Sequence, residues 1–354
     1  MGTATLWVGL DVGADLSRIC AVDAELVTVL DRAVESTTAG VTEALAPFGP
    51  SDLHEIAVES CAFAIHLVRG LRKAGFPVAV YDAGRVSKYL RIRNNKTDAN
   101  DARGLAELAK LGLTSVKRVH VKSPEIQRLR SRLLFRHNLT RHRVAWEGMI
   151  RSLLRLHGGR LPHIASPERL EKCVRSELER LPTDISAGLA AEVIPLLALC
   201  VDLRRYLQKI ELELVEWAHH DSVCSRFMTI PSVGPICALS FYTAIEDPSR
   251  FEHASDVGPY LGLTPRVLQS GISLKHGRIS RTGNKLTRAH LGMSASVLLA
   301  GRIHDFPLKR WGLKLADRAG RGKAKVAIAR KLAVMMLAMW KSGATFDAQL
   351  VHVD

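Results

Sequence analysis

The sequence predicts a mixed α/β domain at the N-terminus, followed by a long helical region and a mainly α-helical C-terminal domain. Strand-like and helix-like segments alternate through residues 1–122, and helical periodicity dominates residues 123–220. Residues 221–354 combine helix starts with glycine-containing turns. A chain of 354 residues is long enough for two or three domains, so we expect one domain in each of these ranges.

The N-terminal domain is predicted to open with three strands, over residues 5–11, 17–24 and 27–35. Helices and strands then alternate: helix 38–48, strand 53–58, helix 63–75, strand 76–82 and a helix around 97–112. Three meandering strands followed by βαβ units give a mixed sheet with helices on its faces. This is the ribonuclease-H-like order, in which strands one and four lie side by side.

Four acidic residues stand where such a sheet would bring them together. Asp11 ends the first strand, in WVGLDVGAD, and Glu59 ends the fourth, in IAVES. Asp98 and Asp101, in NKTDANDA, are three residues apart, so both carboxylates point off one helix face. Any one of the four, taken alone, is more often a structural turn residue than a catalytic one. Their joint spacing is what favours a catalytic site.

Carboxylates that crowd together repel one another unless cations neutralise them, and hard oxygen ligands of this kind suit Mg²⁺. Two such ions about 4 Å apart can clamp the attacking and leaving oxygens of a phosphodiester. The sequence therefore predicts a site for two magnesium ions that cleaves nucleic acid.

Two long helices are predicted in the middle of the chain. Residues 124–157 place apolar residues near helical spacing until Gly158 and Gly159 end the pattern. A second helix spans roughly 186–219, and Pro195 should kink it or mark its true start. Two long helices with a connector suggest an antiparallel hairpin or a coiled-coil arm, which packs within one chain or associates with a second copy. The apolar residues assigned to the two stripes are Ile126, Leu129, Leu133, Val144, Met149, Ile150, Leu153 and Leu154, then Leu203, Leu207, Ile210, Leu214 and Trp217.

The segment 230–247, IPSVGPICALSFYTAIED, is typical of a helix-hairpin-helix. A tight turn holds Gly234, and Pro235 then opens a helix. Such a turn offers backbone N–H groups and a helix N-terminus to a phosphate. A plain turn between two helices fits the same letters.

Residues 264–291, TPRVLQSGISLKHGRISRTGNKLTRAHL, are predicted to form a basic loop region that leads into a helix. Gly271, Gly277 and Gly283 interrupt a dense set of Arg and Lys residues. Ser270 precedes the first of these glycines, and serines in this position are normally turn residues. An unaided serine is a weak nucleophile, and no His/Asp pair sits nearby in the sequence, so attack on phosphorus would need a metal ion or arginine.

The net charge of +15 is concentrated in two segments. Residues 117–160 hold 12 basic and 2 acidic side chains, a net of +10, and residues 264–331 hold 16 and 2, a net of +14. A charge run is usually a solvated face, but blocks as one-sided as these more often meet a polyanion. Nucleic acid is therefore the expected partner.

Other classes of protein are disfavoured. No apolar run reaches the ~20 residues of a membrane span, and the first strand follows the N-terminus without a leader, so a cytoplasmic, bacterial protein without membrane contact is expected. The six cysteines are scattered without a CxxC pair, which argues against a zinc site.

The chain resembles the DEDD-type insertion-sequence transposases, a family that includes bridge-RNA-guided recombinases and pilin-inversion recombinases. The resemblance runs nearly end to end. It rests on GLDVGAD, KTDANDARGLAELA, IPSVGP, LGLTPRVLQSGISLKHGRISRTGNKLTR and KAKVAIARKLAVMM. The sequence departs from the family pattern after Glu59, where Ser60, Cys61 and Ala62 replace the usual Thr-Gly and aromatic, and in the hairpin turn, where Ser232 replaces a glycine.

The resemblance implies a RuvC-like N-terminal domain, a coiled-coil arm and a C-terminal transposase domain. It implies that Asp11, Glu59, Asp98 and Asp101 bind Mg²⁺, and that Ser270 is the nucleophile that forms a covalent link to DNA. It also implies double-stranded donor and target DNA, a guide RNA, and a homo-oligomer, dimer or tetramer, in which domains of different subunits pair. The residues expected to contact nucleic acid are Arg128, Arg132, Arg136, Arg141, Arg143, Gly234, Arg266, Lys275, Arg278, Arg281, Lys285 and Arg288.

Three alternative interpretations of the function remain. GLDVGAD also resembles the first phosphate loop of sugar kinases and actin-like ATPases, but ESCAFAIHL lacks the glycines of their second loop. A hydrolytic nuclease similar to a junction resolvase could use the same four carboxylates without a serine, and only the serine motif argues against it. The third is a nucleic-acid-binding protein without activity, which leaves the four placed carboxylates unexplained.

Overall fold

The computed structural model describes residues 5–92, 95–164, 166–271, 273–301 and 303–348, apart from the side chain of residue 276. The chain divides into two compact units, residues 1–122 and residues 123–354. The first is mixed α/β and the second is mostly helical. The further division predicted at residue 220 stays a prediction.

The first unit is built on a five-stranded mixed sheet. Its elements are β1 (Leu6–Asp11), β2 (Leu16–Val22), β3 (Thr28–Glu35), α1 (Thr38–Ala44), β4 (Leu53–Glu59), α2 (Ala64–Lys73), β5 (Val78–Tyr81), α3 (Ala83–Leu90) and α4 (Asp98–Leu111). The strand order is β3-β2-β1-β4-β5, with β1, β2 and β3 antiparallel and β1, β4 and β5 parallel. The predicted adjacency of the first and fourth strands is confirmed.

The two faces of this sheet have separate cores. Side chains alternate across a strand, so Leu6, Val8 and Leu10 of β1 pack with residues of α1 and α2 on one face. On the other face, Ala57 of β4 packs with Leu105 and other residues of α4. The helix α3 was not predicted; the Asp82 side chain caps it by accepting a hydrogen bond from the Arg85 backbone N–H at 3.0 Å.

The second unit begins with three helices, α5 (Pro124–Leu156), α6 (Pro167–Arg180) and α7 (Thr183–His220). The two predicted long helices are confirmed, but Pro195 lies inside α7 and does not start it. A buried ion pair joins α5 to α7: Arg204 Nε donates to Glu147 Oε1 at 2.6 Å. The helical spacing predicted for residues 124–157 is confirmed, but two of its apolar residues, Val144 and Met149, are exposed.

By length and composition alone, α7 could span a membrane, unlike the expectation from the sequence. Core packing explains part of its apolar sequence, because Leu189, Val193, Leu197 and Cys200 pack with residues of α5 and α6. The buried Arg204 on the same helix is paired with Glu147 of α5.

The rest of the second unit surrounds a core that contains Phe227, Phe241 and Met336. Its elements are α8 (Ser222–Phe227), α9 (Pro235–Ile245), α10 (Val257–Tyr260), β6 (Pro265–Ser270), β7 (Ser273–Ile279), α11 (Lys285–Leu299), α12 (Pro307–Ala319) and α13 (Arg321–Ser342). The prediction of a basic loop before α11 is wrong, because β6 and β7 pair as an antiparallel hairpin. Every residue of β6 is exposed, so no buried apolar face marked the strands in the sequence.

Candidate active site

Asp11 and Glu59 end two neighbouring parallel strands. Leu10 of β1 pairs with Val58 of β4, so the two acidic residues follow directly at the next position of each strand. Both lie on the α4 face of the sheet, because they share their strand parity with Gly9 and Ala57, which pack against that helix. The structure thus brings these two predicted residues together at one edge.

The N-terminus of α4 carries the other two carboxylates to the same face. A Cβ atom on Gly9 would lie 1.9 Å from the Ala102 carbonyl oxygen and 2.4 Å from the Ala106 N, so only glycine lets α4 sit this close to β1. Asp98 and Asp101 occupy the first turn of the helix, where the positive end of the helix dipole favours negative charge. Thr97 caps this turn by accepting a hydrogen bond from the Asn100 N–H at 3.2 Å.

The four carboxylates interact electrostatically. Partial burial raises the pKa of Asp11 to about 6, and the charges of Asp101 and Asp98 add to the rise. Burial also raises the pKa of Glu59, with further contributions from Asp11 and Asp101. Negative charges that raise the pKa of Asp11 and Glu59 in this way lie near these two carboxylates.

Two charged residues that the sequence analysis missed also act on this site. The positive charge of Lys96 partly opposes the rise in the pKa of Asp11 and Glu59. The negative charge of Asp82 adds to the rise in the pKa of Glu59. Asp82 follows β5, the third parallel strand in this part of the sheet, so the strand-end argument that found Asp11 and Glu59 would have found it. Lys96 gave no such signal, since it precedes the helix on an exposed segment.

The donor set is chemically suited to a hard divalent cation, since all four groups offer carboxylate oxygens. Within the described part of the chain, however, no three His, Cys, Asp or Glu side chains stand close enough to hold one ion. The four carboxylates lie on one face of the sheet but do not come close enough to share one ion.

The segment after Glu59, where the sequence departs from the family pattern, is fixed by hydrogen bonds. The Ser60 N–H donates to the Tyr81 carbonyl at 2.9 Å, and the Ser60 hydroxyl accepts from the Ala83 N–H at 3.2 Å. Cys61 Sγ accepts from the Ala64 N–H at 3.3 Å. The departure therefore leaves the end of β4 tied to the end of β5.

Ser270 lies in the second unit, at the tip of the β6–β7 hairpin. It is the last residue of β6 and pairs with Ser273, and Gly271 follows with φ +56°, a conformation that favours glycine. Strand parity puts Arg266 and Leu268 on the same face as Ser270, and the cross-strand pair Leu268–Lys275 puts Lys275 there too.

The base of this hairpin is held by close backbone contacts. A Cβ atom on Gly262 (φ +66°) would lie 2.4 Å from Thr282 N, and one on Gly283 (φ +70°) would lie 2.2 Å from the Tyr260 carbonyl oxygen. Arg288 Nη1 donates to the Leu261 carbonyl at 3.1 Å. The hairpin is thus anchored at one end, and Ser270 is at the other.

The turn before α9 contains the second departure from the family pattern, a serine at position 232 where a glycine is usual. Ser232 has φ +87°, a strained value for any residue except glycine, and its buried hydroxyl has no hydrogen-bond partner among the described residues. Gly234 precedes Pro235 at the start of α9 and is exposed. The turn and the helix predicted here are confirmed, whereas phosphate binding by them stays a prediction.

Some of the charged residues predicted to contact nucleic acid are already held by other protein groups, and the others are exposed. Three arginines of α5 are ion-paired with glutamates: Arg132 with Glu213, Arg136 with Glu211, and Arg143 with Glu147. Arg288 is half-buried against the hairpin base. The remaining charged residues are exposed, namely Arg128, Arg141, Arg266, Lys275, Arg278, Arg281 and Lys285.

Comparison with known proteins identifies the class of protein to which this chain belongs. A family model described as "Transposase" matches residues 8–158, and a model described as "Transposase IS116/IS110/IS902 family" matches residues 224–306. Together they cover the carboxylates of the first unit and the hairpin of the second. The protein is an enzyme of the DNA transposase and recombinase class.

Individual relatives agree with this class. The chain is 29% identical over 335 residues to the transposase for insertion sequence element IS1111A of Coxiella burnetii, covering 94% of this chain and 88% of that protein. It is 27% identical to the transposase for IS1328 of Yersinia enterocolitica, covering 82% and 85%. A pilin gene-inverting protein of Moraxella bovis is 33% identical over 36% of this chain and 39% of its own length. The chain belongs to the DEDD-type insertion-sequence transposase family, as its motifs indicate.

Proposed function

We propose that this protein cuts and rejoins DNA by using the carboxylates of a RuvC-like, ribonuclease-H-fold domain together with a serine nucleophile, Ser270. The observation that carries the proposal is the placement of Asp11 and Glu59 on adjacent strand ends, with Asp98 and Asp101 on the helix that covers the same face. Such an arrangement suits phosphodiester chemistry because it places hard oxygen ligands on one face of the sheet, where bound cations could draw them closer.

Asp11, Glu59, Asp98 and Asp101 are the residues that would hold Mg²⁺, in two ions. When bound, the ions would neutralise charge on the attacking and leaving oxygens of a phosphodiester. The raised pKa values of Asp11 and Glu59 support this assignment, because a site that needs a cation is one where negative charge is costly without it.

Ser270 then attacks the phosphorus. A bond forms between Ser270 Oγ and phosphorus while the bond from phosphorus to one deoxyribose oxygen breaks, and the serine proton passes to the released oxygen. The product is a phosphoserine ester that keeps the energy of the phosphodiester, so a hydroxyl of another DNA strand can reverse the step and restore the serine. Arg266 and Lys275, on the same face of the hairpin, would stabilise the charge that develops on the phosphate.

The partners follow from the same proposal. The substrate is double-stranded donor and target DNA, which places the activity in the bacterial cytoplasm. A guide RNA is proposed from the family resemblance, and the two strongly basic segments supply charge for two nucleic acids. Exposed apolar residues on α5, among them Phe135, Met149 and Leu156, support assembly of several subunits through this helix.

The decisive test is a covalent adduct. Incubation with a nicked suicide DNA substrate in Mg²⁺ should give a protein–DNA complex that survives a denaturing gel, and peptide mapping should place it on Ser270. Ser270→Ala should lose the adduct and still bind DNA. Ser273→Ala tests the other hydroxyl at the hairpin tip: Ser273 lies directly across from Ser270, and its loss should leave an adduct on Ser270.

A hydrolytic nuclease is the second candidate. It would use the same four carboxylates and a water molecule, and it is favoured by the absence of any charged hydrogen-bond partner for the exposed Ser270 among the described residues. Cleavage that proceeds in the Ser270→Ala variant, without any adduct in the unmodified protein, would establish this alternative.

A further inference from the structure

The β6–β7 hairpin exposes apolar side chains on both of its faces. Leu268 is 68% exposed, Leu274 is 54% exposed and Val267 is 53% exposed. Water-exposed leucines on a two-stranded ribbon contribute nothing to the core of the second unit, which is built from other residues. Such side chains mark a surface that becomes covered on binding.

The two faces of the ribbon differ in charge. One face, the serine face, carries Arg266, Leu268 and Ser270 from β6 and Ser273 and Lys275 from β7. A Cβ atom on Gly277 would lie 3.8 Å from the Arg266 Cβ, so the glycine leaves open space beside that arginine. Near the tip the opposite face carries Val267, Gln269 and Leu274, which have no charge, whereas Arg278 lies towards the base of the hairpin, where the register of the two strands shifts.

The serine face therefore combines two cations, two hydroxyls and one leucine over a few residues. Cations suit phosphate oxygens, and a leucine between them suits the apolar part of a nucleic acid, either a sugar, a thymine methyl group or the face of a base. The major groove of duplex DNA is about 12 Å wide and admits a two-stranded ribbon. A double-stranded RNA groove does not, because its major groove is deep and narrow.

We propose that the hairpin enters a groove of duplex DNA with its serine face against the DNA, and that Leu268 packs on the DNA beside the phosphate that Ser270 attacks. Leu268 is then a positioning residue: it fixes the depth and angle of the ribbon and so the distance from Ser270 to the phosphorus. The inference rests on the proposed role of Ser270 for its catalytic consequence, whereas the contact of the serine face with DNA does not require cleavage.

Photo-crosslinking tests the contact without any chemistry at the serine. The full chain would be prepared with Leu268→p-benzoylphenylalanine and, as the matched control, with Leu274→p-benzoylphenylalanine. Both positions are exposed, on the same hairpin, and on opposite faces. Irradiation with duplex DNA should crosslink from position 268 and at least about tenfold less from position 274. Equal crosslinking from both, none from 268, or crosslinking only to single-stranded DNA or to RNA would overturn the proposal.

Kinetics test the positioning role. At saturating suicide substrate, Leu268→Ser should slow adduct formation about tenfold with little change in the DNA concentration that half-saturates the protein. Leu274→Ser should leave both unchanged, and the thermal unfolding of both variants should match that of the unmodified chain. An unchanged adduct rate in Leu268→Ser would overturn the positioning role. If the unmodified protein forms no adduct, the proposed serine chemistry fails, and the crosslinking result still decides whether this face meets DNA.

Discussion

The carboxylate edge of the first unit and the serine hairpin of the second are built in opposite ways. Asp11 and Glu59 end strands that are buried along most of their length, and α4 is pressed against β1 at Gly9. Ser270 ends a strand on which every residue is exposed, and the contacts that anchor the described part of the hairpin lie at its base. The carboxylates are placed by packing, whereas the position of the serine depends on the pairing of two exposed strands.

The cost of each arrangement is also different. At the carboxylate edge the strain is electrostatic, since burial and like charges raise the pKa of Asp11 to about 6. Near the hairpin it is conformational, since Arg281 at the base has φ +58°. A bound cation would relieve the electrostatic strain at the carboxylates, whereas it would not change the backbone conformation of Arg281.

Loss of a carboxylate should have the largest effect. Asp11→Ala should lower strand cleavage by more than the roughly 10–100-fold that the loss of an outer-shell partner costs a metal site, because Asp11 is proposed as a direct ligand. Affinity for DNA should stay within about twofold, since the carboxylate repels phosphate. Cleavage assays in Mg²⁺ and DNA titrations measure the two effects. Full activity of Asp11→Ala would remove the carboxylates from the mechanism.

Replacing one glycine by alanine in each region tests how tightly each region is packed, because the added methyl group should lower the free energy of unfolding only where there is no space for it. Gly9→Ala puts a Cβ 1.9 Å from the Ala102 carbonyl oxygen and should destabilise the protein by roughly 1–3 kcal/mol or more. Gly277→Ala, on the hairpin, puts a Cβ 3.5 Å from the Arg266 carbonyl oxygen and should change stability by less than about 0.5 kcal/mol. Thermal unfolding of the two full-length variants gives the comparison. Equal losses would mean that the hairpin is packed as tightly as the sheet.

Charge on the hairpin should appear in the salt dependence of DNA binding. If Lys275 contacts a phosphate, Lys275→Gln should reduce the slope of log affinity against log salt by about 0.9. Lys172→Gln, an exposed lysine on α6, is the matched control and should leave the slope unchanged. Affinity titrations at several salt concentrations measure it. If the slope falls equally in both variants, the effect comes from the overall charge of the protein and not from a contact between Lys275 and a phosphate.

The smallest expected effect is on stability and its pH dependence. The pKa of Asp11 is about 6 in the folded chain and has an ordinary value of 3.8, so ionisation opposes folding as the pH rises through this interval. Asp11→Asn removes that cost. Its melting temperature should equal that of the unmodified protein below pH 4 and exceed it by about 2–4 °C above pH 7 without divalent cations. Mg²⁺ should narrow the gap, because it stabilises only the unmodified protein. Parallel pH profiles of the two proteins would contradict the electrostatic account.

Much of the first unit could be predicted because its signals are local. Strand alternation and buried apolar runs gave the strand positions, and the order of strands and helices gave the adjacency of β1 and β4, so that Asp11 and Glu59 could be placed together. The two long helices of the second unit were predicted for the same reason, since their periodicity persists over many turns. The sequence determined the strands and long helices because each depends on residues close together in the chain, and the adjacency of β1 and β4 followed from the order of these elements.

Tertiary structure decided what depends on distant residues. The place of α4 depends on the missing side chain of Gly9, and the influence of Lys96 and Asp82 on the carboxylates depends on how their segments pack. The β6–β7 hairpin was mistaken for a loop because every residue of β6 is exposed, so this strand lacks the buried apolar pattern by which strands are recognised. Val144 and Met149 belong to the apolar pattern of α5 but are exposed in the folded chain. Sequence patterns report which residues prefer burial, whereas only the packed chain fixes which partner buries them and which side chains stay exposed for a ligand.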